Sequence, residues 1–157
     1  MLRTLSILVD NEAGVLTRVT GLVARRGFNI ESLAVGVSEI PNRSRITLIV
    51  DAQPDVVEQV TKQLHKLINV YKITDLTEEA SIDRELVLFK VNVEPEKRHE
   101  LIEIATVFRA NVVDFAPHNL IIEATGTEEK IAAMEDLFRA YGIKEIVRTG
   151  KIALSRG

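Results

Sequence analysis

The fold follows from one stretch near the N-terminus, Leu5-Ser6-Ile7-Leu8-Val9-Asp10-Asn11-Glu12-Ala13-Gly14-Val15-Leu16. Its first five residues are mostly apolar and are followed by the turn formers Asp10 and Asn11, which predicts a strand that ends in a loop. After the loop, apolar residues recur every three or four positions and predict an amphipathic helix with the buried face Val15, Leu16, Val19, Leu22 and Val23. Gly27 ends this helix, and a second strand is expected over 28–37.

The loop between this strand and this helix has the chemistry of a carboxylate site. A helix N-terminus presents backbone N–H groups without helical partners and the positive end of the helix dipole, and both attract carboxylate or phosphate. Gly14 has no Cβ, so a ligand can approach its amide, while Asn11 offers both a donor and an acceptor. An Asn cap followed by a turn glycine uses the same residues, so spacing alone leaves both interpretations open.

The same order of elements occurs twice along the chain. In the first half, strands are expected over 2–9, 28–37, 45–51 and 69–76, with helices beginning at Val15 and spanning 55–68. In the second half, strands are expected over 86–93, 111–115, 120–124 and 143–149, with helices over 96–109 and 127–141. Each half reads βαββαβ, so we expect an α+β protein with two consecutive ferredoxin-like domains, 1–77 and 82–157, joined by a polar segment.

The second half does not repeat the chemistry of the loop. Aligning Asn29 with Asn111 places Val93 opposite Asn11 and Glu96 opposite Gly14. A glutamate at the start of the helix would repel a ligand carboxylate. We therefore expect anion binding in the N-terminal half only.

Composition excludes several classes of function. The chain has 157 residues with 20 basic and 23 acidic side chains, a net charge of −3, which provides no positive field for nucleic acid. The βαββαβ order also builds an RNA-recognition module, but the expected central strands 5–9 and 45–51 carry no aromatic residue on which bases could stack. There is no cysteine, no signal-peptide pattern and no apolar run near the ~18 residues of a membrane span. We expect a cytoplasmic protein without nucleic-acid or membrane partners.

No catalytic or metal site is predicted. The histidines His65, His99 and His118 fall on different elements, and no two have the i, i+4 spacing of a helical metal site. Acidic pairs are adjacent in sequence and would diverge on a helix or strand. The isolated glycines form no nucleotide-binding fingerprint.

Residues 5–37 resemble the ACT domain. The runs 10–19 and 26–33, together with 62–67, 84–86, 148–150 and 154–157, resemble the small regulatory subunit of acetolactate synthase, also called acetohydroxyacid synthase. The resemblance implies a chain that binds no cofactor and activates a catalytic large subunit, on which thiamine diphosphate, magnesium and FAD are expected. It also implies feedback inhibition by an amino acid in branched-chain amino acid biosynthesis. A free-standing ACT sensor that regulates another protein is the alternative, because its loop would look the same.

The resemblance further implies a homodimer through the ACT domains, with the effector between the loop of one protomer and the second strand of its mate. The ligand carboxylate is expected on the amides of Gly14 and Val15, and an aliphatic side chain on Ile30 and Val35. Valine is expected first and leucine or isoleucine more weakly, since one methylene changes binding by about 1–3 kcal/mol. The implied effector-binding residues are Asn11, Ala13, Gly14, Val15, Leu16, Asn29 and Ile30, with Val35 as a pocket wall.

Three further features are open in the sequence. Asn29 could instead be a satisfied turn residue after Gly27. The second strand has small or apolar residues on both sides, so we expect it to pack against another protomer. Arg18, Arg25 and Arg26 form a basic strip that is either a solvated helix face or a contact for the large subunit.

Overall fold

The computed structural model describes residues 1–157 and divides the chain into two units. Unit 1 comprises Met1–Ile82 together with Lys151–Gly157, and unit 2 comprises Asp83–Gly150. Each unit contains a four-stranded antiparallel sheet and two α-helices in the order βαββαβ. The predicted fold class is therefore confirmed.

In unit 1 the elements are β1 (Leu2–Asp10), α1 (Val15–Arg25), β2 (Asn29–Val37), β3 (Arg43–Asp51), α2 (Pro54–His65) and β4 (Val70–Asp75). The sheet order is β2-β3-β1-β4, so β1 is central and β2 is an edge. The predicted apolar stripe of α1 and one apolar face of α2 pack on the sheet, with Val15, Val19, Val23, Val57, Val60 and Leu64 buried. Leu16, assigned to the same stripe by its spacing, is 39% exposed.

The first strand of unit 2 is β5 (Ser81–Asn92), which belongs to unit 2 from Asp83 onward. It is followed by a 3-10 turn (Pro95–Lys97), α3 (Arg98–Val107), β6 (Asn111–Phe115), β7 (Asn119–Gly126), α4 (Glu128–Arg139) and β8 (Ile143–Arg148). The sheet order β6-β7-β5-β8 repeats that of unit 1. Phe89 of β5 and Phe138 of α4 are fully buried and meet edge to face, with 5.1 Å between ring centroids. Such aromatic pairs stabilise a core beyond the area that they bury.

The first strand and the first helix of unit 2 differ from the sequence-based expectation. The strand begins at Ser81 rather than at residue 86, so the polar segment before it is shorter than expected. The helix expected from Glu96 starts as a 3-10 turn at Pro95, and regular α-helix begins at Arg98. Proline fits the first position of a helix, where its missing N–H has no helical partner.

A ninth strand, β9 (Ile152–Ser155), was not expected from the sequence. Next to it, the Arg156 amide donates to the Ala80 carbonyl at 2.8 Å, within unit 1. The Lys151 amide donates to the Ser32 hydroxyl at 2.9 Å. The last seven residues, Lys151–Gly157, therefore belong to unit 1, whereas the predicted boundary assigned all of 82–157 to the second domain. The spacing of apolar residues cannot predict that the C-terminal segment belongs to unit 1, because the hydrogen bonds of this segment join residues far apart in sequence.

Strand β2 has two different ends. Leu33 packs against the core of unit 1, whereas Val35 and Val37 are 48% and 80% exposed at the edge of the sheet. An edge strand also presents unpaired backbone groups to a partner. No helix of the chain has the length and apolar character that a membrane crossing requires.

Candidate functional site

The loop between β1 and α1, residues 11–14, ends in a left-handed glycine. Gly14 is the N-cap of α1 with φ +85°, and no side chain caps this helix start. A Cβ built at Gly14 would meet no atom within 4 Å. The glycine is therefore required by backbone conformation, since L residues other than Asn and Asp adopt this region at a cost, and the space beside it is open.

The helix start leaves several backbone donors unused. The Val15 amide donates to the Glu12 carbonyl at 3.3 Å, and the Arg18 amide makes the first bond of the helix, to the Gly14 carbonyl, at 3.0 Å. The amides of Gly14, Leu16 and Thr17 have no hydrogen-bond partner in the chain. The expectation named Gly14 and Val15 as donors, but in the structure the Val15 amide is engaged in a turn and its two successors are free.

The side chains of the loop are mostly exposed. Asn11 and Ala13 are exposed, and Asn11 has no side-chain hydrogen bond, while its amide donates to the Asn42 carbonyl at 2.9 Å. Val15 is 2% exposed and points into the core, so it can contribute only backbone to a site. The structure thus brings together Asn11, Ala13, Gly14 and Leu16.

Asn29 and Ile30 lie at the opposite end of the sheet from this loop. Asp10, which precedes the loop, pairs with Arg43, whereas Asn29 pairs with Asp51 at the other end of β3. A nine-residue strand is roughly 26 Å long at about 3.3 Å per residue. Within one chain these residues and the loop cannot contact the same small ligand. Val35, paired with Ile46, is nearer the loop end of β2.

Asn29 is partnered in the structure. Its side-chain amide donates to the Glu31 carboxylate at 2.6 Å. Asn29 is the first residue of β2 and is exposed. Ile30 is half-buried and packs against the core of unit 1.

The Asp10 carboxylate accepts two side-chain hydrogen bonds that were not predicted from the sequence. The Tyr71 hydroxyl donates to Asp10 Oδ1 at 2.5 Å, and Asn69 Nδ2 donates to Asp10 Oδ2 at 2.9 Å. These two bonds hold the pKa of the Asp10 carboxyl below its usual value. The partners lie far along the chain in β4 and the turn before it, so no local pattern could have revealed them.

The basic strip is not uniform. Arg18 donates to Asn69 Oδ1 at 2.8 Å, whereas Arg25 and Arg26 are exposed without ion pairs. The Arg18 side chain is therefore hydrogen-bonded within its own unit, whereas a purely solvated helix face would leave it without a protein partner. The histidines are exposed, and no group of three His, Cys, Asp or Glu residues is arranged to hold a metal ion.

The corresponding position in unit 2 has the same backbone anchors and different chemistry. The Asn92 amide donates to the Gly142 carbonyl and the Val93 amide to the His118 carbonyl, at 2.8 and 3.0 Å. In unit 1 the Asp10 amide donates to the Asn69 carbonyl at 2.9 Å, and the Asn11 bond described above matches that of Val93. The internal repeat therefore extends to individual hydrogen bonds. It does not extend to the glycine, because Glu96 stands in a 3-10 turn where unit 1 has Gly14.

Comparisons with known proteins agree for both halves of the chain. The profile of a family described as the AHAS small subunit-like ACT domain matches residues 5–72. The profile of the family described as the small subunit of acetolactate synthase matches residues 84–157. Each unit is thus matched by a separate family description.

Full-length relatives have the same name. A protein of Archaeoglobus fulgidus named probable acetolactate synthase small subunit is 52% identical, over 100% of this chain and 98% of its own length. The acetolactate synthase small subunit of Mycobacterium bovis is 50% identical, over 98% of this chain and 92% of its own. The crystal structure of the acetolactate synthase small subunit from Thermotoga maritima superposes with a TM-score of 0.91 at 38% identity, covering 100% of this chain and 98% of that one. The chain therefore belongs to the family of acetolactate synthase small subunits.

Proposed function

We propose that the chain is the regulatory subunit of an acetolactate synthase, that it activates the catalytic large subunit, and that it confers feedback inhibition by valine. The observation that supports this most directly is the start of α1 in unit 1. Gly14 is left-handed and uncapped, and the amides of Leu16 and Thr17 behind it are free. Within a family of synthase small subunits, free donors at a helix N-terminus are suited to an amino acid carboxylate.

The complete site in this proposal needs two copies of the chain. Asn29 and Ile30 lie at the far end of β2 from the loop of their own protomer. If two β2 edges pair in antiparallel register about a two-fold axis, the ends are reversed and the mate's Asn29 comes to the loop end. The exposed Val35 and Val37 at this edge favour such a contact. The homodimer is therefore part of the proposed site.

Each part of the ligand has an assigned partner. The carboxylate binds the free amides of Gly14, Leu16 and Thr17, and the ammonium binds side-chain or carbonyl oxygens near Asn11 and the mate's Asn29. The aliphatic side chain of the ligand lies against the mate's Ile30 and against Val35. Such a pocket ranks valine, leucine and isoleucine by shape alone, with about 1–3 kcal/mol for each methylene.

A calorimetric titration with L-valine tests the position of the site, with L-lysine as the ligand control. Gly14→Asp places a carboxylate where the carboxylate of the ligand is assigned, so we expect no measurable binding. Gly14→Asn is the matched control, because Asn has nearly the same size and tolerance of the left-handed region but no charge. We expect Gly14→Asn to retain weakened binding.

The possible results separate the interpretations. An unfolded Gly14→Asp protein by circular dichroism would show that the glycine is structural. Two variants that bind valine as well as the unsubstituted protein would move the site away from the loop. If the unsubstituted protein gives no heat with valine, leucine or isoleucine, the titration is repeated with the large subunit present, and no response there would refute the effector assignment.

The proposed partner is the large subunit, and the proposal places thiamine diphosphate, magnesium and FAD on it. This chain supplies no catalytic group in the proposal. Coupling between the effector site and the catalytic subunit must be reciprocal in binding, and such coupling is typically worth about 1–3 kcal/mol. We therefore expect substrate bound to the large subunit to change the affinity of this chain for valine. The factor should equal the one by which valine changes the affinity of the large subunit for its substrate.

A further inference from the structure

We propose that four side chains of unit 1, namely Asp10, Arg18, Asn69 and Tyr71, position the β1–α1 loop for its ligand. We call this set the loop clasp. The proposal rests on the proposed function, because the ligand concerned is the amino acid assigned to that loop. It adds residues that contact the loop's flanks rather than the ligand.

Asn69 is the centre of the loop clasp. Its Nδ2 donates to Asp10 Oδ2 at 2.9 Å, and its Oδ1 accepts from the Arg18 guanidinium at 2.8 Å. Asp10 is the last residue of β1, and Arg18 lies in the first turn of α1. One side-chain amide therefore connects the end of β1, before residues 11–14, to the first turn of α1, after them. An asparagine can do this because it carries a donor and an acceptor on one planar group.

Tyr71 holds the same carboxylate from the other side. Its hydroxyl donates to Asp10 Oδ1 at 2.5 Å, and the Arg43 guanidinium lies over its ring, 3.5 Å from the centroid. The hydrogen bonds from Tyr71 and Asn69 lower the pKa of Asp10 below its usual value, as expected for donors that stabilise the ionised carboxylate. Hydrogen bonds to an ionised acceptor are the stronger kind and constrain geometry accordingly.

Unit 2 shows that the fold does not need the loop clasp. The same two backbone anchors are present there, from the amides of Asn92 and Val93. Strand pairing places Asn92, Gly142 and Lys144 at the positions equivalent to Asp10, Asn69 and Tyr71, and the 82-residue offset places Glu100 at the position of Arg18. No side-chain hydrogen bond joins these four residues of unit 2. The strand, the connection and the helix of unit 2 form without these bonds. The clasp thus occurs in the copy whose loop ends in the left-handed glycine, which is why we assign it to ligand positioning.

Amide hydrogen exchange of the ligand-free full-length protein tests the loop clasp without reference to any ligand. In Asn69→Ala, we expect the hydrogen-bonded amides of Asp10, Asn11 and Arg18 to exchange about tenfold faster. Loss of a side-chain hydrogen bond to a charged group changes the equilibrium of local opening by about that factor. The amides of Asn92 and Val93 in unit 2 should not change. Asn92→Ala is the matched control and should leave the three unit 1 amides unchanged. Unaltered exchange in Asn69→Ala would overturn the proposal.

Valine titration supplies the second readout. We expect Asn69→Ala to weaken valine binding about tenfold and Tyr71→Phe, which removes one of two donors to Asp10, to weaken it less. Arg18→Ala and Asn69→Ala combined should weaken binding by less than the product of the single effects, because both act through the same bond. A merely destabilising role would lower the unfolding temperature without this non-additivity.

The failures of the two proposals are distinguishable. Unchanged valine affinity in a folded Asn69→Ala protein, beside loss of binding in Gly14→Asp, would refute the loop clasp and leave the effector site in place. Absence of valine binding to every form, including the complex with the large subunit, would refute the effector site. In that case the exchange experiment still decides whether the clasp holds the loop.

Discussion

The β1–α1 loop of unit 1 and the β5–α3 connection of unit 2 occupy equivalent positions in the repeated fold but have different residues. Both leave the end of a central strand and are anchored by equivalent backbone hydrogen bonds. In unit 1 a left-handed glycine leaves free amides at the helix start. In unit 2, Pro95 has no N–H, and Glu96 stands opposite Gly14. The two units therefore share the fold and its backbone anchors but differ in backbone conformation and charge at the start of the first helix.

The largest expected effect is on the core of unit 2. Phe138→Ala should lower the free energy of unfolding by about 3–5 kcal/mol, because it removes a fully buried ring and its contact with Phe89 and leaves a cavity. Urea denaturation measures this, with the exposed neighbour Leu137→Ala as the control, expected to cost less than about 1 kcal/mol. Valine binding should persist under conditions in which the variant is folded. Its loss there would contradict a site confined to the first unit.

The next effect concerns how helix starts are satisfied. The Thr127 hydroxyl accepts from the Lys130 amide at 3.4 Å at the start of α4, whereas α1 has no side-chain cap. Thr127→Ala should therefore cost about 0.5–2 kcal/mol of stability by thermal denaturation. Thr127→Ser, which keeps the hydroxyl, is the control and should cost less. Equal losses in both variants would show that the methyl group, and not the cap, matters.

A smaller effect is expected at acid pH in unit 1. The hydrogen bond from Arg45 holds the pKa of Glu39 at about 2, below its usual 4.5. A lowered folded-state pKa contributes stability above the usual value, and that contribution is lost as the pH falls from about 4.5 toward 2. Glu39→Gln should reduce the loss of stability over this window in acid titrations followed by circular dichroism. An acid limb as steep as that of the unsubstituted protein would contradict the assignment.

The smallest expected effect tests whether one glycine is enough to create a site. Glu96→Gly places a glycine opposite Gly14 of unit 1, but Pro95 and the 3-10 turn that it begins remain. We expect no additional valine binding when this variant is titrated beside the unsubstituted protein. A second binding event would show that charge at this position, rather than the geometry of the helix start, separates the two units.

Much of each unit was predictable from the spacing of apolar residues. The stripe Val15, Val19 and Val23 was expected to be buried and is buried, because a helix that packs on a sheet must repeat its apolar residues with the helical period. Leu16 follows the same spacing and is exposed, since it lies at the margin of that stripe. The 3-10 turn at Pro95 was missed because short tight turns have no periodicity of their own.

The sequence alone determined the four strands and two helices of each βαββαβ unit and the loop that ends in Gly14, since each depends on residues that are neighbours in the chain. Only the tertiary structure decided three other features. It returned Lys151–Gly157 to unit 1, placed Asn29 and the loop at opposite ends of one sheet, and connected Asp10 to Asn69 and Tyr71. These depend on strand register and on hydrogen bonds between residues about sixty or more positions apart, which periodicity and turn propensity do not encode.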